Sequence, residues 1–107
     1  RHLQERGYEI LATNYRKRFG EVDIVARWRG TIVFVEVKTR HSRRYGVPQE
    51  AVDERKQRQL ARIAQDYLAA HHPENAPARF DVIAVTLDRE DQPARIDHID
   101  NAFELSE

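Results

Sequence analysis

The stretch Gly20-Glu21-Val22-Asp23-Ile24-Val25-Ala26-Arg27-Trp28-Arg29-Gly30-Thr31-Ile32-Val33-Phe34-Val35-Glu36-Val37-Lys38-Thr39-Arg40 decides how this chain is read. Its halves flank Arg29-Gly30, a two-residue hairpin signal in which glycine takes positive φ without steric cost. Thr31 to Thr39 is rich in β-branched residues and reads as a central strand. Glu21 to Trp28 alternates in part, with Val22, Ile24 and Ala26 on one face and Glu21, Asp23 and Val25 on the other. Closing the hairpin on Arg29-Gly30 pairs Trp28 with Thr31, Asp23 with Glu36 and Glu21 with Lys38. Opposed residues share a face, as do residues two apart on one strand. Glu21, Asp23, Glu36 and Lys38 are therefore expected to form one polar cluster, with Val35 and Val37 on the other face.

Such a cluster is unfavourable on its own. Two carboxylates about 5 Å apart repel by roughly 3 kcal/mol at an effective dielectric near 20. A divalent cation reverses the sign of that interaction, and Mg²⁺ takes carboxylate oxygens while keeping several waters. Lys38 beside the pair adds positive charge. The combination suits phosphodiester hydrolysis, in which a metal polarises the phosphate and lowers the pKa of the attacking water. A solvated polar sheet face with cross-strand ion pairs is the plainer explanation of the same letters. Against it, the two acids lie within the most apolar strand of the chain and oppose each other instead of bases.

Outward from the hairpin, residues 1–6 read as the end of a helix stopped by Gly7. Tyr8 to Arg16 reads as a strand and Phe19-Gly20 as a turn. Arg40 to Val47 is a polar loop. Pro48 suits a first helical position, with acidic Glu50 near the positive helix end. The helix is expected to run to about Ala70, because Val52, Leu60, Ile63, Ala64, Tyr67 and Leu68 recur at three- and four-residue spacing. His72-Pro73 ends it. Arg79 to Leu87 reads as a buried strand, Asp88 to Pro93 as a turn and Ala94 to Ile99 as a short edge strand. Asp100 is expected to cap a final helical turn. This order gives an α/β domain with a mixed sheet.

Gly20-Glu21-Val22-Asp23-Ile24-Val25-Ala26, Phe34-Val35-Glu36-Val37-Lys38-Thr39-Arg40 and Arg79-Phe80-Asp81-Val82 together resemble the signature of the YraN-like family of small bacterial proteins. That family is similar to the PD-(D/E)xK, or restriction-endonuclease-like, nucleases, and among them to archaeal Holliday junction resolvases. The resemblance covers nearly the whole chain. It implies an α-β-β-β-α-β core with a mixed sheet flanked by helices, and a Mg²⁺- or Mn²⁺-dependent endonuclease acting on DNA, branched or structured DNA included. It implies Asp23 and Glu36 as metal ligands, joined by the Val37 carbonyl, with Lys38 orienting or activating water. Superfamily members often carry a further acid on the first helix, and Glu5 is the only acid in the part present here. Resolvase-like relatives imply a homodimer, since a junction offers two symmetric strands.

Lys56 lies four residues after Val52 and four before Leu60, on the apolar stripe of the long helix. Burial of its stem with the amine at the rim explains that place. The resemblance favours an amine that reaches the site, as a further catalytic group. Glu21 reads as a supporting acid or a partner of Lys38. Arg40, Arg43 and Arg44 follow the acidic strand, Arg55, Arg58 and Arg62 lie on the helix, and Gln49 opens it. Of these, Arg40, Arg43, Arg44, Gln49 and Arg55 are the expected nucleic-acid contacts, with a solvated charged face as the plainer account of the arginines and helix capping as that of Gln49. Trp28 and Tyr45 suit base stacking or rim packing. The histidines show no zinc spacing.

With 107 residues, the chain fits one domain. It has no cysteine, which excludes disulfides and thiolate metal sites. It has no methionine, so Arg1 is not a natural start and the beginning of the first helix is expected upstream. No apolar run is long enough for a membrane span, and no secretory signal is visible, so a cytoplasmic setting is expected. The 18 bases and 18 acids cancel. They are segregated, however. Residues 38–62 carry eight bases and three acids, whereas residues 81–107 carry two and eight. Neutrality therefore narrows a nucleic-acid contact to one face instead of excluding it. Two other functions fit the same fold: a non-catalytic nucleic-acid-binding module, and a protein-interaction domain.

Overall fold

Arg29 and Gly30 both take positive φ, 49° and 82°. This is the type I′ turn, whose twist matches that of the strands it joins. The flanking strands are β2 (Gly20–Trp28) and β3 (Thr31–Arg40). Their register is the expected one, from Trp28↔Thr31 to Ile24↔Val35. The computed structural model describes residues 2–41, 52–71 and 76–103. Around the hairpin stand α1 (His2–Glu5), β1 (Glu9–Lys17), α2 (Glu54–His71), β4 (Ala78–Leu87) and β5 (Pro93–Phe103). This is the expected α/β domain, consistent with a restriction-endonuclease-like core. The five strands form one sheet in chain order, antiparallel except for β3 with β4. That parallel pair requires a crossover, and α2 supplies it.

The sheet buries both faces. On one, α2 lays Leu60, Ile63, Ala64 and Tyr67 against Val22, Val25, Ile32, Phe34, Phe80 and Val82. On the other, Leu3 and Tyr8 join Ala26, Val33, Val35 and Ile83. Gly7 ends α1 at φ 89°. The Tyr8 N–H donates to the Leu3 carbonyl at 2.9 Å and the Gly7 N–H to the Gln4 carbonyl at 3.1 Å. These are the two bonds of a Schellman cap, as the glycine suggests.

Several boundaries differ from expectation. The first turn is Arg18-Phe19, because Gly20 already pairs with Lys17. Val52 precedes the long helix instead of lying within it. Asp53 is the cap, its carboxylate accepting the Lys56 N–H at 2.9 Å. Pro48 and Glu50 lie outside the described residues, as do His72 and Pro73. The last strand runs on through Asp100, with no helical turn there. Asn101, at φ 50°, directs its N–H to Asp81 at 3.0 Å. The expected alternation in β2 also breaks. Val22 and Val25 pack in the same cluster, while Ile24 and Ala26 face the other. Opposite the break, Asn14 takes φ 50°.

A buried ionic cluster on the face away from α2 ties three elements together. Asp81 is 1% exposed. Its carboxylate accepts hydrogen bonds from Tyr8 Oη at 3.2 Å, Arg79 Nε at 3.0 Å and His98 Nε2 at 2.8 Å. An ionised carboxylate only accepts, so His98 carries its proton on Nε2 and its Nδ1 faces His2 Nε2 at 3.3 Å. Trp28 is enclosed here by the Tyr8 ring and by the guanidinium groups of Arg79 and Arg29, which accounts for it as packing and not as an open stacking platform. Burial works to raise the Asp81 carboxyl, but the bonds from His98, the Asn101 N–H and Arg79 outweigh it and hold the group below the usual carboxylate range. No described helix is long and apolar enough to cross a membrane.

Asp81→Asn leaves the partly buried Arg79 without its counter-charge. It is expected to lower the unfolding free energy by about 3–5 kcal/mol at neutral pH, measured by urea denaturation. In the unaltered protein the Asp81 contribution is present above about pH 4 and lost as pH falls through the depressed folded value. The stability gap between the two proteins should therefore narrow in acid.

Candidate metal and phosphate site

Glu36 stands between Phe34 and Lys38 on the most apolar strand, on the sheet face that carries α2. Its side chain is 8% exposed. Two ammonium groups approach the same oxygen, Oε2: Lys56 Nζ from α2 at 3.4 Å and Lys38 Nζ from β3 at 3.6 Å. The capped start of α2 aims Lys56 at the sheet, and Gln59 Oε1 accepts from its Nζ at 3.1 Å. Gln59 in turn lies over Gly20, where an added Cβ would come within 2.5 Å of the Gln59 side chain. A bare backbone at position 20 thus leaves room for the glutamine that holds the lysine.

Asp23 fixes the other side. The β2–β3 ladder stops at Ile24↔Val35, and the Asp23 carboxylate then accepts the Val37 N–H at 2.8 Å. The N–H and C=O of a strand residue face the same neighbour, so the Val37 carbonyl is turned toward the Asp23 side. Burial raises the Glu36 pKa and the negative charge of Asp23 raises it further, against the pull of Lys56 and Lys38. Asp23, Glu36 and the Val37 carbonyl offer hard oxygen donors only. That set suits Mg²⁺, which binds through one or two carboxylates and keeps waters. Among the described residues, no group of three or more His, Cys, Asp or Glu is placed to hold a metal.

The other expected residues are distributed as follows. Glu21 does not meet Lys38. Beyond Ile24 the strands no longer pair, and Glu21 bonds to Arg16 at 3.4 Å instead. Glu5 is exposed on α1, whose Leu3 packs on the sheet face opposite Glu36. Arg40 reaches the Thr86 hydroxyl at 3.3 Å and Asp97 at 3.5 Å, so its guanidinium joins β3 to the last two strands. Arg55 is exposed on the first turn of α2. Arg43, Arg44, Gln49 and Tyr45 lie outside the described residues. Gln59 was not singled out from sequence. Its signal, one turn after Lys56 on the same helix, was present in the spacing.

Residues 1–85 match the model of the family described as "Uncharacterised protein family UPF0102". The chain belongs to this family. The YraN-like resemblance points to the same family, and the matched span holds Asp23, Glu36, Lys38, Lys56 and Asp81. The chain is 51% identical over 105 residues to a UPF0102 protein of Syntrophus aciditrophicus, covering 98% of this chain and 81% of that one. A UPF0102 protein of Geobacter metallireducens is 52% identical over 105 residues, at 98% and 84% coverage. One of Moorella thermoacetica is 48% identical over 101 residues, at 94% and 84% coverage.

The raised Glu36 pKa fixes a sign. As pH rises from about 4.3 through the folded value, the folded state holds a proton that the unfolded state has already released, so ionisation costs stability. Glu36→Gln lacks this loss. Urea midpoints measured from pH 4 to pH 7 should shift in favour of the variant as pH rises.

Proposed function

We propose that this UPF0102 protein is a divalent-metal-dependent nuclease hydrolysing phosphodiester bonds in DNA. The supporting observation is the buried Glu36 carboxylate, raised in pKa by burial and by Asp23 and flanked by lysines from two separate elements. Strand stability alone does not favour that arrangement. Asp23, Glu36 and the Val37 carbonyl would hold Mg²⁺ or Mn²⁺. When bound, the metal polarises the phosphate and lowers the pKa of a water. Lys38 and Lys56 place two positive charges where a phosphate develops negative charge, on ammonium groups already positioned before substrate arrives. Lys38, partly exposed beside Glu36, orients the attacking water. Asp23 keeps its orientation through the Val37 N–H.

The experiment is cleavage of labelled branched, flapped and linear DNA with Mg²⁺ or Mn²⁺ by the full-length protein. Asp23→Asn, Glu36→Gln and Lys38→Ala are each expected to slow cleavage by about 10²–10³-fold. Normal cleavage by Asp23→Ala and Glu36→Ala would overturn this assignment. Salt-dependent binding without cleavage, unaffected by Asp23→Ala, would mark a binding module instead.

A further inference from the structure

A cavity of about 340 Å³ opens between the β1–β2 turn and the first half of α2. Its lining includes Arg16, Lys17, Arg18, Glu21, Lys56 and Gln59. Four of those six side chains are cationic. Arg16, Lys17 and Arg18 are exposed. Two of them have weak partners: Arg16 meets Glu21 at 3.4 Å and Lys17 meets Asp66 at 3.5 Å. Arg18 makes no ion pair with any described residue. The floor is more ordered, because Gln59 is seated over Gly20 and accepts from Lys56 Nζ.

Lys56 decides what this cleft is for. Its ammonium lines the cavity and also stands 3.4 Å from Glu36 Oε2. The cleft and the carboxylate site are therefore continuous through one side chain. A solvated basic turn would not require a cavity, a glycine floor or a lysine shared with a buried carboxylate.

We infer that this cleft carries the sugar-phosphate backbone of the nucleic acid next to the bond that is cut, with Arg16 and Arg18 contacting phosphates and Lys56 marking the boundary with the reacting one. The inference rests on the reading of Glu36 and Lys56 as parts of a phosphodiester-cleaving centre. It adds the path of the strand: away from Lys38, over Lys56 and along the β1–β2 turn. Contacts of this kind position a backbone without reading sequence. The cleft is thus a determinant of affinity and register, not of base preference.

The test is a salt titration of oligonucleotide binding by the full-length protein, followed by fluorescence anisotropy. Arg16→Gln/Arg18→Gln is compared with Arg29→Gln/Arg95→Gln, a control that removes the same charge from exposed sites elsewhere on the sheet. The cleft variant should bind about tenfold more weakly near 0.1 M salt. Its plot of log affinity against log salt should be shallower by about 0.7 per lost contact on single strands and about 0.9 on duplex. The control should keep the unaltered slope. Equal affinity and slope for the cleft variant and the unaltered protein would overturn the cleft and leave the nuclease reading standing. Equal losses in both variants would also overturn it, as an effect of total charge. Loss of cleavage in Asp23→Asn supports the nuclease reading, and the shallower slope of the cleft variant beside an unaltered control supports the cleft. Absence of any oligonucleotide binding by the unaltered protein would remove both.

Discussion

A side-chain carboxylate takes the place of a peptide carbonyl where β2 and β3 part. The Asp23 bond to the Val37 N–H has this role, and the layout around it follows. A hydrogen bond to a charged group contributes about 1.5–3 kcal/mol, enough to compensate a lost ladder bond. With the ladder ended, Glu21 swings to Arg16, β2 shifts its alternation so that Val22 and Val25 both reach the core, and Glu36 is left facing Lys56. Had the ladder continued, Glu21 would lie opposite Lys38.

The two buried acids of the sheet show how environment separates roles. Asp81 and Glu36 lie on neighbouring strands and on opposite faces. Asp81 has side-chain donors from Tyr8, Arg79 and His98 and a backbone donor from Asn101, and its pKa falls despite burial. Glu36 has two ammonium groups at the longer distances of 3.4 and 3.6 Å and a neighbouring anion, and its pKa rises. The first is a closed network that fastens α1, β4 and β5. The second keeps a raised pKa beside two ammonium groups on one oxygen, the perturbation on which the nuclease proposal rests.

Much of this was readable beforehand because hairpin register is a local property. Arg29-Gly30 allowed only one natural pairing, and counting from it gives the register as far as Ile24↔Val35; the next expected pair, Asp23 with Glu36, does not form, because Asp23 turns to the Val37 N–H. The long helix and the β3 and β4 strands were legible from periodicity and β-branching. What escaped depended on contacts distant in sequence. Asp81 acquires its meaning from Tyr8, 73 positions away, and from His98, 17 positions away. Asp100 looked like a cap because Asp often caps, but Asn101 had a better acceptor in Asp81 than a helical turn would offer. The break at Asp23 was hidden because strict alternation is the default expectation for a half-buried strand.

The outer strands have a consequence for how copies of the chain meet. The edge strand β1 is irregular between Ile10 and Ala12 and takes positive φ at Asn14, and it ends in Arg16 and Lys17. The opposite edge begins at Pro93, which has no N–H to donate, and is irregular again at Asn101. Bulges, charge and proline are the devices that keep open sheets from zipping together edge to edge. A continuous intermolecular sheet is therefore disfavoured at both ends. Edge-to-edge pairing of two copies would have to form against all three devices.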